Sequence, residues 1–222
     1  MAFDPGRRSR LSPRDLGRFV TETLFDRVAR VVCEAVCLPR KELYEAWEVA
    51  RRVRRRFRGG RVVDLAAGHG LLGALLLLLD TSSPEALAVD PKTPLSAGRL
   101  DEALVASWPR LGGRVRRLEA RIEDVEIVAG DLVVSVHACG NLTDQVLARA
   151  IGASAHVAVL PCCHDLATCD TGGLEGWMNG PLAIDANRAA YLRSVGYSVF
   201  TQTIPEEITP QNRLLMGRAS SR

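Results

Sequence analysis

The chain has 222 residues, of which 47% are hydrophobic, 5% aromatic and 25% charged. Together with 19 glycines, 11 prolines and six cysteines, these proportions exclude collagen-like, disordered and disulfide-scaffold proteins and predict one soluble globular domain. The net charge of +3 is unevenly distributed, because residues 1–61 carry 16 basic and 8 acidic side chains and the remainder carry 13 and 18.

No segment has the length and composition of a membrane span or a secretory signal. The longest apolar run, residues 70–79, ends at Asp80, well short of the roughly 20 residues that cross a bilayer. The first ten residues contain basic side chains but no apolar core. We therefore expect a cytoplasmic protein with reduced thiols.

The first 58 residues are predicted to form two helices. Ser12, Pro13 and Asp15 are typical of a helix start, since a serine caps the helix, a proline suits its first turn and an aspartate can bond back to the cap. Apolar residues then recur at helical spacing until Pro39 ends this helix. A second helix is predicted over residues 40–57.

Residues 59–222 alternate between strands and helices. The segments predicted as strands are Arg61–Leu65, Ala86–Asp90, Arg114–Ala120, Asp131–Val136, His156–Leu160, Tyr197–Thr203 and Arg213–Arg218. The connection between the last two is short, which makes them antiparallel. The sequence thus predicts an α/β fold, a Rossmann-like doubly wound sheet of about seven strands with the last strand antiparallel. Residues 59–222 form this domain, and residues 1–58 form an N-terminal helical extension or cap.

The turn after the first predicted strand carries the pattern of a cofactor-binding loop. Asp64 is followed by Ala66, Gly68 and Gly70, small residues that let a ligand approach the backbone closely. Asp90 ends the second strand, where a carboxylate can accept hydrogen bonds from ribose hydroxyls. The glycines also match a dinucleotide motif, but the acid before them would repel a pyrophosphate and suits an ammonium and sulfonium ligand.

This Asp-x-Ala-x-Gly-x-Gly run with the later acid resembles motifs one and two of the class I S-adenosylmethionine-dependent methyltransferases. The resemblance covers about residues 60–218, and the antiparallel final pair is similar to that family's closing hairpin. It implies S-adenosylmethionine as the cofactor. It also implies that Ala66, Gly68 and Gly70 wrap the methionine part, that Asp64 faces its amino group and that Asp90 holds the ribose.

The same resemblance extends to the segment after the third predicted strand. Ile122 is expected to contact adenine, and either Glu123 or Asp124 to accept a hydrogen bond from its exocyclic amine.

Histidines and cysteines follow the fourth and fifth predicted strands, whose carboxyl ends should surround the transferred methyl group. The fourth strand is followed by His137 and Cys139, and the fifth by Cys162, Cys163 and His164. This pairing of His-x-Cys-Gly…Thr-Asp with Pro-Cys-Cys-His resembles a methyltransferase subgroup that includes eukaryotic tRNA ribose methylases. The segments that contain Lys41 and Asn212 resemble the same subgroup and imply that these two residues contact the substrate.

Several readings of these residues stay open. In the first reading, His137 or His164 acts as a general base that removes a proton from the methyl acceptor. We favour His137, which should also contact the cofactor. In the second reading, Cys162 or Cys163 is a nucleophile. RNA cytosine-5 methyltransferases have their attacking thiolate at the same place, after the fifth strand. In a third reading, a zinc site is supplied by soft thiolate and imidazole ligands, namely His137, Cys139, Cys162, Cys163, His164 and Cys169. The lack of a Cys-x-x-Cys pair argues against it, as does the expectation that adjacent cysteines on a strand end point apart, so no metal is predicted. In a purely structural alternative, Cys139 and one of the two adjacent cysteines are buried and act as small hydrophobic residues. The catalytic candidates are therefore His137, Cys163 and His164.

The second predicted helix ends in a dense basic stretch. Its arginines are Arg51, Arg52, Arg54, Arg55, Arg56 and Arg58. They are expected either to contact phosphates or to form a solvated helix face. Arg51 and Arg55, with Lys41, Cys162 and Asn212, make up the predicted substrate site.

These observations lead us to expect a methyltransferase that acts on RNA, with tRNA as the first guess, by His-assisted direct methyl transfer. A protein or small-molecule methyltransferase is the alternative within enzymes. A non-catalytic cofactor-binding or RNA-binding module is the alternative outside them. No membrane or DNA partner is expected, and the sequence does not predict the oligomeric state.

Overall fold

A computed structural model describes residues 4–220 of the chain. Residues 1–3, which belong to the segment inspected for a secretory signal, and residues 221–222 of the predicted catalytic domain lie outside that range. Within the described part, no helix has both the length and the apolar composition of a membrane span.

The described residues form a seven-stranded sheet with helices on both faces. The helices are α1 (Leu24–Ala35), α2 (Arg40–Arg56), α3 (Leu71–Leu79), α4 (Ala97–Ser107), α5 (Leu142–Gly152) and α6 (Gly180–Ser194). The strands are β1 (Val62–Leu65), β2 (Ala86–Asp90), β3 (Val115–Glu119), β4 (Leu132–Ser135), β5 (His156–Val159), β6 (Ser198–Thr203) and β7 (Arg213–Arg218).

The strand order is β3-β2-β1-β4-β5-β7-β6. The first five strands are parallel to one another, whereas β7 is antiparallel to both β5 and β6. β6 therefore runs in the same direction as the first five strands. This confirms the predicted fold, including the antiparallel last strand, and places the carboxyl ends of six strands at one edge of the sheet.

Buried apolar side chains form one core on each face of the sheet. On one face, leucines of α3 pack with α1, α2 and α4. On the other, α5 and α6 cover β4, β5 and β7. Every residue of β1 and β4 is buried, as expected for central parallel strands covered on both sides. The two N-terminal helices share the first core with the sheet domain.

The predicted first helix is wrong in one respect, because two segments occupy its range. A 3₁₀ turn covers Pro13–Arg18, and α1 begins only at Leu24. The Asp15 carboxylate accepts from the Ser12 amide at 3.1 Å, as predicted, but the β-branched residues at 20, 21 and 23 disfavour a continuous helix. Thr23 instead caps α1 by accepting a hydrogen bond from the amide of residue 26.

The second predicted helix is confirmed as α2, but its arginines have different environments. Arg51 and Arg55 are exposed. Arg54 is only 2% exposed and donates to the Leu76 carbonyl and to Ser83 Oγ. The expectation that Arg54 contacts phosphate is therefore wrong, since this side chain ties α2 to α3 inside the protein.

Candidate active site

The glycine loop leaves β1 at the carboxyl edge of the sheet and leads into α3. Ala66, Gly68 and Gly70 all have positive φ, at 55°, 51° and 69°. A Cβ added to Gly70 would lie 3.0 Å from the Ala88 Cβ, so a larger residue would strain the packing of loop and sheet. A Cβ on Gly68 would meet nothing within 4 Å, which leaves open space above this part of the loop. The loop therefore has the shape of a ligand cradle.

Asp64 is buried beneath this loop. Its side-chain Oδ2 accepts from the Gly73 amide at 3.2 Å, whereas Oδ1 is buried and has no hydrogen-bond partner among the described residues. Burial raises the pKa of Asp64 to about 7, and nearby Asp90 acts in the same direction; the Gly73 bond and Arg117 act against it. An unpartnered buried oxygen at this position fits the amino group of a bound S-adenosylmethionine.

Asp90 is positioned by backbone amides at the end of β2. Its Oδ2 accepts from the Gly68 amide at 3.0 Å and its Oδ1 from the Lys92 amide at 3.1 Å. These bonds link β2 to the glycine loop and fix the carboxylate beside the open space above Gly68. This placement agrees with the predicted ribose contact.

Arg117 of β3 supports the loop and was not predicted from the sequence. Its guanidinium donates to the His69 carbonyl at 2.7 Å and to the Gly68 carbonyl at 3.5 Å. Asp101 of α4 holds the same guanidinium at 2.6 Å. No local signal could have revealed this role, because its partners are 16 to 49 residues away in the chain.

The segment predicted to contact adenine forms a 3₁₀ turn after β3. Ile122 is buried, whereas Glu123 and Asp124 are exposed. Glu123 forms an ion pair with Arg121 at 2.8 Å. Ile122 packs into the core and the two acids face solvent, so the adenine contact stays a prediction and the choice between the two acids stays open.

His137 follows β4 and lines a small cavity with His69 and Glu42. Burial lowers the pKa of His137 to about 4, with Lys41 and His69 contributing, so the ring is neutral at pH 7. Glu42 was not singled out in the sequence as a functional side chain, yet burial and the neighbouring Glu45 raise its pKa to about 7. The cavity thus joins the first turn of α2, the glycine loop and the end of β4.

Three thiols meet between the ends of β4 and β5. The sulfur atoms of Cys139, Cys162 and Cys163 all lie within 4.8 Å of one another, and the first two are 3.0 Å apart. The expectation that the adjacent cysteines point apart is wrong, because β5 ends at Val159 and the irregular backbone beyond it does not alternate like a strand. Burial raises the pKa of Cys162, so this thiol is protonated at neutral pH.

His164 is held in a buried network. Its Nε2 lies 2.9 Å from both Asp185 carboxylate oxygens, and Arg213 of β7 donates to the same carboxylate at 2.7 Å. Arg188 of α6 pairs with Asp144 at 2.7 Å and also donates to the Gly140 carbonyl. The network fixes the loops after β4 and β5 relative to α5, α6 and β7.

The remaining predicted substrate residues lie near the same edge of the sheet. Lys41 pairs with buried Glu45 at 3.3 Å. Asn212 donates to the Ile204 carbonyl at 3.0 Å, which closes the connection between β6 and β7. Arg51 and Arg55 line a cleft between α2 and the end of β6. All four were predicted to contact the substrate. In the structure, Lys41 and Asn212 make contacts within the protein, whereas Arg51 and Arg55 lie on an open surface.

Comparisons with known proteins agree with this geometry. Residues 41–169 match a family model described as a methyltransferase domain. A glutathione S-transferase C-terminal domain-containing protein homolog from Drosophila pseudoobscura pseudoobscura is 25% identical over an alignment that covers 72% of this chain and 33% of the fly protein. The chain thus spans about one third of the length of this curated relative.

Two solved structures illustrate the similarity of fold. An O-methyltransferase family protein from Burkholderia thailandensis matches with a TM-score of 0.55 at 21% identity, over 93% of this chain and 63% of that protein. A candidate RNA methyltransferase from Pyrococcus horikoshii matches with a TM-score of 0.50 at 15% identity, over 82% of this chain and 84% of that protein. Since the family model covers more than half of the chain, the protein belongs to this methyltransferase-domain family.

Proposed function

We propose that this chain transfers a methyl group from S-adenosylmethionine to RNA. The observation that carries the proposal is a basic cleft of about 320 Å³ between α2 and the edge strand β6. Its lining residues are Glu48, Arg51, Arg52, Arg55, Gln202 and Thr203. The cleft presents three guanidinium groups against one carboxylate, a charge balance that suits a phosphate backbone.

One lining residue of the cleft, Thr203, lies at the carboxyl end of β6. Thr203 ends β6, which runs in the same direction as β1 and β4, and Arg52 donates to its carbonyl at 3.1 Å. Arg51 and Arg55 lie one helical turn apart on the exposed side of α2.

An apolar cleft of about 350 Å³ lies on the opposite face of the same edge strand. Leu182, Ala186 and Ala189 contribute apolar surface, and Arg213 contributes a guanidinium. Gln202 and Thr203 line both clefts. Proteins recognise single-stranded RNA largely through unstacked bases. We therefore place such a base in the apolar cleft and its phosphates in the basic cleft.

The reaction needs a cofactor site, an acceptor site and a group that takes a proton. Asp64, Asp90 and the glycine loop hold S-adenosylmethionine, which supplies a methyl group on a sulfonium. His137, half-buried at the end of β4, accepts the proton that the acceptor loses. A weak base is enough, because an oxygen or nitrogen that has gained a methyl group is far more acidic than it was before. The histidine and cysteine motifs that resemble the tRNA ribose methylase subgroup support this acceptor class, and a cytoplasmic location remains part of the proposal.

Measuring RNA binding as a function of salt tests the proposal. We expect Arg51→Gln/Arg55→Gln to weaken binding and to lower the slope of log affinity against log salt by about 1 to 2. The matched control is Arg116→Gln, which removes an exposed arginine on β3. β3 and β6 are the outermost strands on opposite sides of the sheet. RNA affinity that is independent of salt and unchanged in the double variant would show that the cleft does not bind phosphates.

Small-molecule O-methylation is a second candidate function. The apolar cleft alone has the volume of a small-molecule site, and the Burkholderia thailandensis protein is named as an O-methyltransferase. Methyl transfer to a low-molecular-weight cell fraction, unaffected by the arginine substitutions, would favour this function over RNA methylation.

A further inference from the structure

The three thiols between β4 and β5 are candidates for a site of their own. Cys139, Cys162 and Cys163 come from two loops, and all three are free. Cys139 and Cys163 are exposed and Cys162 is partly exposed, so an ion can reach the sulfur atoms from solvent. No function proposed above uses the three thiols together.

The sulfur spacing suits one metal ion. Zinc binds thiolates at about 2.3 Å in tetrahedral geometry, which places ligand sulfurs about 3.8 Å apart. The three sulfur atoms lie within 4.8 Å of one another, with the closest pair at 3.0 Å. Shifts of less than about 1 Å would bring them to the spacing of a shared ion.

The loops that carry the thiols are braced against each other. The Gly140 amide donates to the Cys163 carbonyl at 3.3 Å, and Arg188 donates to the Gly140 carbonyl at 2.9 Å. Thr143 Oγ1 donates to the Ala138 carbonyl at 2.6 Å. These bonds hold Cys139 near the other two cysteines before any ion binds, which lowers the entropic cost of assembling the ligands.

We propose that Cys139, Cys162 and Cys163 form a three-thiolate site for a soft divalent cation, and that the bound ion is zinc. Thiolates select zinc over the harder magnesium and calcium ions. Three protein ligands leave a fourth position, which solvent or an acceptor atom can occupy. Metal uptake displaces the thiol protons, and no oxidant or reductant is required.

Titration of the metal-free, reduced full-length chain with cobalt(II) alone tests this site. We expect a thiolate-to-cobalt charge-transfer absorption that saturates at one ion per chain and disappears when zinc is added. Cys139→Ser and Cys162→Ser should each lose this absorption. Cys33→Ala is the matched control, because Cys33 is buried in the core beside α2 and should leave the absorption unchanged.

Circular dichroism of each variant separates loss of the ligand from loss of the fold. Absence of the absorption in the wild-type chain, or its persistence in both serine variants, would overturn the proposal. A disulfide between Cys139 and Cys162 in protein kept under reducing conditions would do the same. Because this readout involves neither RNA nor methyl transfer, its failure would leave the RNA proposal unaffected.

Discussion

At the scale of single residues, Asp64 is costly to bury in the absence of a ligand. Its side chain is 1% exposed, and one oxygen has no hydrogen-bond partner within the described structure. The groups that face it are the Gly73 amide from α3, Arg117 from β3 and Asp90 from β2. A cationic amino group at the free oxygen would offset this cost, so the same residue disfavours the empty site and favours the cofactor.

The first prediction concerns the pH dependence of cofactor binding. Because the pKa of Asp64 is raised to about 7, the carboxylate must lose its proton to accept the cofactor's amino group. The affinity for S-adenosylmethionine should therefore fall by up to about tenfold for each pH unit below 7. Calorimetric titrations between pH 5.5 and about 8 measure this slope. In Asp64→Asn the affinity should be low and nearly independent of pH; a wild-type affinity that does not change with pH would contradict this account.

The second prediction concerns stability without cofactor. Between pH 3.8 and about 7 the unfolded chain loses the Asp64 proton while the folded chain keeps it, so the stability of the folded state declines as pH rises through this window. Asp64→Asn should therefore be more stable than the wild type at pH 8, by on the order of 2–4 kcal/mol, and similar to it near pH 4. Urea unfolding at both pH values checks this, and equal stability at pH 8 would argue against a buried, ionised Asp64.

The third prediction separates binding from catalysis at His137. The variant His137→Gln should bind S-adenosylmethionine within a few-fold of the wild type and lower methyl transfer by about 10² to 10⁴, the usual contribution of a general base. Single-turnover transfer of a labelled methyl group measures the chemical step directly. Transfer at the wild-type rate would show that a group other than His137 accepts the proton. Glu42, which lines the same cavity, would be the next candidate.

At the scale of elements, the loops after β4 and β5 depend on charged partners from distant parts of the chain. Asp185 of α6 holds His164 and Arg213, and Arg188 connects α6 to α5 and to Gly140. Apolar periodicity locates the helices and strands but contains no information about such pairs, which are 21 to 48 residues apart. The sequence therefore predicted which loops form the site but not what fixes them.

The fourth prediction tests this network. The variant Asp185→Asn removes the carboxylate that contacts His164, the buried Arg188 and the partly exposed Arg213, and it should cost about 3–5 kcal/mol in unfolding free energy. The control Glu85→Gln removes the partner of the exposed Arg116 and should cost at most about 1 kcal/mol. Chemical denaturation of the two variants gives the comparison, and an equally small effect in both would show that Asp185 contributes no more than a surface pair.

Element boundaries were predictable where burial repeats at a regular period. α2 and all seven strands lie close to their predicted positions, because apolar residues at helical or alternating spacing specify a buried face. The break before α1 was missed, since it depends on hydroxyl and carboxylate bonds among Thr21, Thr23 and Asp26. Arg54 was misplaced for a related reason: its partners on α3 and at Ser83 become neighbours only in the folded protein.

At the scale of the whole molecule, the sheet brings distant motifs to one edge. Asp64 lies in β1 and Asp90 ends β2, while His137 and the thiol cluster follow β4 and β5. The parallel direction of these four strands places all of these residues at or near the carboxyl ends. The insertion of β7 between β5 and β6 makes β6 the edge strand with clefts on both faces. Alternation of strands and helices predicted the sheet, whereas these clefts depend on tertiary packing.

The proposed transfer of a methyl group from S-adenosylmethionine to RNA can be measured directly. The most direct measurement incubates the purified protein with S-adenosylmethionine carrying a labelled methyl group and with separate RNA, protein and small-molecule fractions. The account predicts label in RNA, lost in His137→Gln and reduced in Arg51→Gln/Arg55→Gln but not in Arg116→Gln. Label confined to the protein or small-molecule fraction, or label in RNA that does not depend on these residues, would contradict it.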